Sequence, residues 1–405
     1  MNGKIWIAIP VMNESEYLPM TVNCLFEQDF PDFRAVFCVN QPELWWGNPD
    51  KIHICEDNKK TLQYLQGLND PRFTVIDCCS AGKGWVGNQY GVGRARKTAM
   101  DYVMENADPD DFILSLDADT VVNSDYLSLL NGDLDRNRDM SGVTIRYYHP
   151  LTGVEKADRA ILRYEMYMRL YAINMMKAGL PYAFTALGSA MGCPVKVYRT
   201  IRGITPHKSG EDFYFIEKLY KHGKILVDTN SEVFPAARFS DRVFFGTGPA
   251  MIKGAAGDWS SYPFYLPEIF NEISKSFSAF RNLPENDPDY PMKKFLSESF
   301  RSSMWWENIS RNFKTKEQFY GASVRKVDGL IILQYLRYCQ KSLQMTDLEC
   351  LRKNIEHHFG SISLENYNLN RFSFETSEIS LINDLRNHLT HLENALRKQL
   401  HAIAI

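Results

Sequence analysis

A nine-residue stretch near residue 115 decides the fold, Phe112-Ile113-Leu114-Ser115-Leu116-Asp117-Ala118-Asp119-Thr120. Its first five residues form a short apolar run, which predicts a buried strand. Two carboxylates, Asp117 and Asp119, follow where that strand is expected to end. Because ligands of open α/β sheets bind beyond the carboxyl ends of the strands, the stretch predicts a sheet with a polar site at its edge.

The residues before this stretch alternate β-rich runs with helical patterns. Predicted strands at residues 4–9, 35–39 and 73–77 alternate with helical segments, which indicates βα units and a largely parallel sheet. Pro10 is predicted to end the first strand. The polar segments that follow these strands should converge on one crevice, and they are Pro10–Glu14, Asn40, Gly82–Gly84 and Asp117–Asp119.

Downstream, the pattern becomes progressively helical. Residues 157–177 are predicted to be a helix, residues 225–227 a late strand, and the chain beyond about residue 260 mostly helices. We therefore expect an α/β domain at 1–255 and a helical region at 256–405. The last helix repeats apolar residues over barely two heptads, so a packed bundle helix and a dimer seam both stay open.

Composition excludes several classes of protein. The 405 residues include 46 Lys and Arg against 49 Asp and Glu, a net charge of −3, which argues against a nucleic-acid binder with a broad basic face. Eight cysteines without a CxxC pair argue against a disulfide scaffold or a zinc ribbon and fit a reducing cytoplasm. With no signal-peptide pattern and no long apolar span, we expect a soluble or peripheral protein.

Two carboxylate pairs are the candidate chemical groups. Asp117 and Asp119 can share Mg²⁺ or Mn²⁺, which can bridge a diphosphate; alternatively, Asp117 caps a turn and Asp119 is solvated. Glu211-Asp212 precedes a helical run at 213–220, so one carboxylate can act as a general base toward a hydroxyl. The alternative is stabilisation of the helix dipole by an acidic first turn.

Arginines are the candidate diphosphate ligands, because their forked donors bind oxygens bidentately. Arg238 and Arg242 lie beyond the late strand, and Arg96 lies in the helix that follows the glycine-rich stretch Gly82–Gly87. That stretch matches neither the P-loop pattern nor the dinucleotide fingerprint.

Together these features resemble the inverting glycosyltransferases of family 2, which have the GT-A fold. The resemblance covers roughly residues 1–250 and is carried by four segments: IAIPVMNES (7–15), GVGRARKTAMDYV (91–103), ILSLDADT (113–120) and GSAMGCPVKVYRTIRGITPHKSGEDFYF (188–215). It implies a Rossmann-like, mostly parallel mixed sheet flanked by helices, followed by an α-helical C-terminal region.

The resemblance also implies the donor-binding groups, by position in the family's motifs. The resemblance implies that Pro10, Asn13 and Glu14 contact the nucleoside and that Lys83 and Arg96 contact the base or the phosphate. It also implies that Asp117 contacts the ribose and the metal and that Asp119 binds the metal directly. Asn40 ends the second strand where the family commonly has an acidic pair; it could hydrogen-bond a uracil, and a UDP-sugar is the expected donor.

The acceptor side follows from the same resemblance. Gly188 and Ser189 correspond to the loop that borders acceptor and donor sugar. Asp212 corresponds to the catalytic base, with Glu211 beside it orienting acceptor or donor. The [Q/R]-x-x-R-W motif of processive synthases is absent from the sequence, so we expect a non-processive enzyme that adds one sugar to a saccharide or lipid-linked saccharide.

Two other functions stay open. Asp117-Ala118-Asp119-Thr120-Val121 also fits the D-x-D-x-[T/V] nucleophile motif of haloacid-dehalogenase-type phosphatases. A scaffold protein with a decayed GT-A site is the second alternative. The expected location is the cytoplasm. A peripheral place at the inner face of the membrane stays open, with the tyrosine-rich helix predicted at 157–177 and the helical C-terminal region as the candidate contacts.

Overall fold

A computed structural model describes residues 3–87, 90–242, 246–283, 285, 288–313, 315–360, 367 and 369–403. By internal packing the chain forms two compact units. The first comprises residues 1–161, 186–256 and 400–402, and the second comprises 162–185, 257–399 and 403–405. The domain division at 255/256 stays a prediction, and the segment 162–185, which it assigned to the first domain, packs with the second unit.

The first unit is built on a mixed sheet. Its strands are β1 (Ile5–Val11), β2 (Phe33–Asn40), β3 (Phe73–Cys78), β4 (Phe112–Ser115), β5 (Thr120–Val122), β6 (Gly142–Tyr147), β7 (Met191–Pro194), β8 (Ile225–Pro235) and β9 (Ala402–Ile403). The order is β3-β2-β1-β4-β7-β6-β8-β5, with β9 also paired to β8. Strands β1 to β4 are mutually parallel, whereas β7 is antiparallel to both β4 and β6. The predicted α/β class with a mixed sheet is confirmed.

Helices flank this sheet and make up most of the second unit. They are α1 (Leu18–Phe26), α2 (Ile52–Gly67), α3 (Val92–Asn106), α4 (Tyr126–Arg136), α5 (Glu155–Lys177), α6 (Val195–Thr200), α7 (Glu211–His222), α8 (Thr247–Ala255), α9 (Pro267–Phe280), α10 (Lys293–Phe300), α11 (Glu307–Asn312), α12 (Lys316–Lys326), α13 (Gly329–Gln340), α14 (Asp347–Phe359) and α15 (Ile379–Leu400). A 3-10 helix, Glu43–Gly47, precedes α2. None of the described helices is long and apolar enough to cross a membrane.

The prediction that Pro10 ends the first strand is wrong. Strand β1 continues to Val11, with Pro10 opposite Cys38 of β2. Its pairing with β4 stops at Ala8, so beyond that residue no strand among the described residues pairs with this edge of β1. A proline without an N–H is tolerated at such an edge.

The central strands place the candidate residues at one edge of the sheet. All four residues of β4 are buried, and Ile7 of β1 lies between Ala35 of β2 and Leu114 of β4. Strands that are covered on both faces are continuously apolar, which is why this part of the sheet could be predicted. Asp117 follows β4 immediately beyond the buried run.

The second unit contains a buried ion-pair network. Arg169 donates to Glu165 on its own helix at 2.6 Å and to Glu393 of α15 at 2.7 Å. Arg397 in turn donates to Glu393 at 2.7 Å. Since Leu385 and Leu389 of α15 are fully buried within the chain, this helix has the packing of a bundle helix; a dimer through it stays a prediction.

One glycine fixes the loop that precedes α7. A Cβ on Gly93, in the first turn of α3, would lie 2.2 Å from the carbonyl oxygen of His207 and 2.8 Å from its nitrogen. The backbone of the loop therefore rests directly on the backbone of α3. The added Cβ would also lie 3.2 Å from the Cβ of Glu211, the first residue of α7, so Gly93 lets both the loop and the start of α7 lie close to α3.

We expect Gly93→Ala to lower the free energy of unfolding by about 1–3 kcal/mol, because backbone must move to admit the methyl group. The matched control is Gly132→Ala inside α4, where the nearest atom to the added Cβ is the flexible end of Arg136 at 3.6 Å. That variant should gain about 0.5–1 kcal/mol, since alanine is the better helix former. Urea denaturation measures both; equal stability of the two variants would contradict the close contact.

Candidate functional site

Arg96 is the centre of the candidate site. Its guanidinium group is buried and donates Nε to Glu211 Oε1 at 3.0 Å and Nη2 to Asp117 Oδ1 at 2.9 Å. Nη1 donates to Ser115 Oγ at 2.5 Å and to the Gly188 carbonyl oxygen at 3.0 Å. One side chain therefore ties together the end of β4, the loop before β7 and the start of α7.

Arg96 occupies the space that a side chain at Gly188 would fill. A Cβ at this position would lie 2.5 Å from Arg96 Nη2. The neighbouring Ser189 is buried. The loop predicted to border the sugars is thus fixed by the guanidinium group behind it.

The contacts of Arg96 are those of a positioning residue. Its side chain is 2% exposed, and all the bonds described above go to the protein. Contact between Arg96 and a base or phosphate stays a prediction. In the structure, Arg96 donates hydrogen bonds to one member of each carboxylate pair, Asp117 and Glu211.

Glu211 and Asp212 have different surroundings. Glu211 is buried and holds Arg96, whereas Asp212 is partly buried and, among the described residues, accepts a hydrogen bond only from the adjacent Phe213 N–H, at 2.8 Å. Desolvation and the charge of Glu211 raise the pKa of Asp212 to about 7, although Arg96 opposes them. A carboxylate with a pKa near the working pH is suited to take up a proton.

A second cluster of charges consists of Glu14, Asp119, Arg238 and Arg242, called here the charge cluster. Arg238 Nη2 lies 2.6 Å from both carboxylate oxygens of Glu14 and 2.7 Å from Asp119 Oδ2, to which Nε also donates at 3.0 Å. Arg242 donates to Glu14 and to the Met12 carbonyl oxygen. These contacts join the loop after β1, the residues after β4 and the chain after β8.

Glu14 is the buried member of this cluster. Desolvation and the nearby charge of Asp119 raise its pKa to about 7, against the opposing charges of Arg242 and Arg238. Asn13, beside it, has the left-handed φ of 58° that asparagine tolerates, and its N–H donates to Asn58 Oδ1 at 2.8 Å. Pro10 is buried within β1. Nucleoside contacts for these three residues stay predictions.

The two remaining predicted donor ligands differ in accessibility. Asn40 is buried, with its amide group donating to the Val11 carbonyl oxygen at 2.9 Å and its Oδ1 accepting from Trp85 Nε1 at 3.3 Å. Lys83 is exposed and lies 2.9 Å from Asp77 Oδ2. Despite desolvation, hydrogen bonds from Ser80 and Lys83 hold the pKa of Asp77 below its usual value.

Several residues of this site were not predicted. Ser115 bonds Arg96, the Tyr17 ring lies 4.1 Å from the guanidinium carbon of Arg238, and Asp77 anchors Lys83. A polar residue inside the apolar run of β4 was the available signal for Ser115, and an aspartate near the end of β3 was the signal for Asp77.

The predicted metal ligands, Asp117 and Asp119, suit a cation that also takes oxygen ligands from a bound diphosphate. Asp117 Oδ1 and Asp119 Oδ2 are held by arginines, and within the described residues the other oxygen of each accepts no hydrogen bond. No group of three Asp, Glu, His or Cys side chains in that part of the chain could hold a metal ion. Mg²⁺ is commonly bound by one or two carboxylates together with substrate phosphates and water, so these residues fit a cation shared with a diphosphate.

The raised pKa of Asp212 predicts a pH-dependent stability. Between about pH 4, where an unfolded aspartate ionises, and about pH 7, where Asp212 ionises in the fold, a rising pH destabilises the folded state. Asp212→Asn should therefore gain stability over the wild type as pH rises through this window, with a constant difference above it. Urea denaturation at several pH values measures the difference.

The control is Asp70→Asn, for which the opposite trend is expected. Hydrogen bonds from the guanidinium group and the N–H of Arg72, the shortest at 2.7 Å, lower the pKa of Asp70, so its contribution to stability is lost as pH falls. This variant should lose stability relative to the wild type as pH rises. A flat profile for Asp212→Asn beside a sloping one for Asp70→Asn would contradict the raised pKa.

Comparison with known proteins identifies the domain. Residues 6–201, just under half of the chain, match the family model described as glycosyl transferase family 2. No curated protein matches the sequence. Solved structures that are similar include S. aureus TarS 1-349 in complex with UDP-GlcNAc, at 15% identity and a TM-score of 0.41, over 84% of this chain and 93% of that chain.

Two further structures of the same protein show similar values. S. aureus TarS 1-349 in complex with UDP has 14% identity and a TM-score of 0.37, over 98% of this chain and 90% of that chain. S. aureus TarS has 14% identity and a TM-score of 0.36, over 84% of this chain and 55% of that chain. The family match, together with the mixed sheet and its flanking helices, shows that this chain carries a family 2 glycosyltransferase domain of the GT-A fold and is a glycosyltransferase.

Proposed function

We propose that the protein is a non-processive inverting glycosyltransferase. It transfers one sugar from a nucleotide-diphosphate sugar, with UDP-sugars as the first donors to test, to a hydroxyl group of a saccharide or lipid-linked saccharide. The observation that carries this proposal is the pairing of Asp117 and Glu211 on one buried guanidinium group, because it holds the donor-side and acceptor-side carboxylates in one place.

Asp212 is the proposed general base. Glu211 is engaged by Arg96, whereas the carboxylate of Asp212 has no cationic partner within hydrogen-bond distance among the described residues. With its pKa near 7, Asp212 can accept the proton of an acceptor hydroxyl as the oxygen attacks the anomeric carbon. The bond to the diphosphate oxygen breaks on the opposite face, so the anomeric configuration inverts.

The leaving diphosphate is stabilised by positive charge. Arg238 and Arg242 lie at the carboxyl ends of β1 and β4 and present donors suited to phosphate oxygens. Preorganised donors of this kind stabilise charge as it develops on the leaving group. Asp117 and Asp119 would hold Mn²⁺ or Mg²⁺, which supplies Lewis-acid stabilisation of a diphosphate.

The proposal includes a cytoplasmic location. Each of the eight cysteines is a free thiol, which is typical of proteins kept in a reducing compartment. Association with the inner face of the membrane and a homodimer through α15 are parts of the proposal that need their own tests.

Asp212→Asn should reduce transfer by about 10²–10⁴-fold, because a positioned general base contributes that much to the rate. Binding of UDP, measured by calorimetry, should be unchanged. Transfer is measured as UDP release in a screen of UDP-sugars and acceptors, and NMR of the product reports the anomeric configuration. The control is Asp139→Asn, whose side chain is 73% exposed on the surface.

Three outcomes would contradict the proposal. Near-normal transfer by Asp212→Asn with intact UDP binding would exclude Asp212 as the base. Phosphate release from sugar phosphates without turnover of nucleotide sugars would favour the phosphatase alternative. A wild-type protein that binds no nucleotide at all would favour the scaffold.

A further inference from the structure

In the charge cluster, the guanidinium group of Arg238 is hydrogen-bonded to Asp119, the predicted metal ligand. Arg238 Nε and Nη2 both approach Asp119 Oδ2, at 3.0 and 2.7 Å, and Arg242 Nη2 lies 3.6 Å from the same oxygen. Two arginines therefore face two carboxylates, Glu14 and Asp119. With all four groups ionised, the formal charges of the cluster sum to zero.

Backbone pairing holds Arg238 next to Asp119. Strand β5 pairs with β8, with Thr120 opposite Pro235, and the Ala236 N–H donates to the Asp119 carbonyl oxygen at 3.1 Å. Arg238, two residues later, is consequently held beside Asp119. Its side chain is only 16% exposed.

Arg238 would stay in its position if its hydrogen bonds to Asp119 were broken. Nη2 lies 2.6 Å from both oxygens of Glu14, and the Tyr17 ring lies 4.1 Å from the guanidinium carbon. Charge-assisted hydrogen bonds and a cation–π contact both hold a guanidinium group. Asp119 can thus exchange one cation for another without the arginine leaving the site.

A divalent cation competes with Arg238 for Asp119. Binding to the protein alone would bring it next to two guanidinium groups, with Asp117 as the second predicted ligand and no third one among the described residues. A diphosphate changes this balance, because its oxygens give Arg238 and Arg242 other partners. It also supplies the oxygen ligands that the cation lacks.

We propose that Arg238 is an internal counter-ion of Asp119 that keeps the site free of divalent cations until a diphosphate binds. Cation and nucleotide diphosphate then bind cooperatively. By linkage, UDP must raise the affinity for Mn²⁺ by the same factor by which Mn²⁺ raises the affinity for UDP. The identity of the diphosphate rests on the proposed function, whereas the contact between Arg238 and Asp119 does not.

The test measures Mn²⁺ binding to the full chain by electron paramagnetic resonance, without and with UDP, after subtraction of Mn²⁺–UDP association in a protein-free sample. Wild type should bind Mn²⁺ at least tenfold more tightly with UDP, which corresponds to about 1.4 kcal/mol of coupling. Arg238→Gln should bind Mn²⁺ without UDP at least tenfold more tightly than wild type. Its gain from UDP should be correspondingly smaller.

Three variants separate charge from structure. Arg238→Lys keeps the positive charge and should stay close to wild type in Mn²⁺ affinity without UDP. Arg138→Gln removes a surface arginine that is also paired with an aspartate and is 68% exposed, so it should change nothing. Adding Asp119→Asn to Arg238→Gln should abolish the gained Mn²⁺ affinity, and thermal melts check that each variant is folded.

The proposal is overturned if wild type and Arg238→Gln bind Mn²⁺ equally without UDP, or if Arg238→Lys binds as tightly as Arg238→Gln. It is also overturned if the gained affinity survives Asp119→Asn. If UDP binds to no form of the protein, the UDP-sugar proposal fails. The ratio of the Mn²⁺ affinities of Arg238→Gln and wild type, measured without UDP, still tests whether Arg238 is the counter-ion of Asp119.

Discussion

The site depends on the burial of one positive charge. Taking a guanidinium group out of water costs several kcal/mol unless it is paired and hydrogen-bonded, and Arg96 is 2% exposed. Its partners come from β4, from the loop before β7 and from α7. Because the buried guanidinium group needs all of these partners, the three segments meet at Arg96, and the candidate catalytic group Glu211 is held there with them.

Much of the fold was predictable because the central strands are buried on both faces. β1 is apolar throughout, β2 contains the apolar run 35–39, and β4 is apolar up to Ser115, and such apolar runs predict strands that are buried on both faces. Strand β5 has only three residues, and β7 contains a glycine and ends in a proline, so neither forms an apolar run like the one that predicts β4. The end of β1 was missed for a different reason: the tolerance for Pro10 depends on where a neighbouring strand stops, which no local pattern records.

The candidate site was predictable in its acidic residues and not in its pairings. Asp117 and Asp119 follow an apolar strand, and Glu211 and Asp212 precede a helix, so their positions could be read along the chain. The contact between Glu14 and Arg238 joins residues 224 positions apart. Asn40, predicted to follow the second strand, is the last residue of β2, and its hydrogen bond to the main chain of β1 emerges only from the folded backbone; its contact with a base stays a prediction.

The bare Cα of Gly188 has a consequence for protein engineering. The loop before β7, which is proposed to border the sugars, is a natural segment to randomise when a different acceptor or donor is wanted. Here the back of that loop is filled by Arg96, with Nη2 only 2.5 Å from where a Cβ would be. A side chain at position 188 would displace the guanidinium group and, with it, its partners Asp117 and Glu211. Diversity belongs on either side of this glycine, with position 188 held constant.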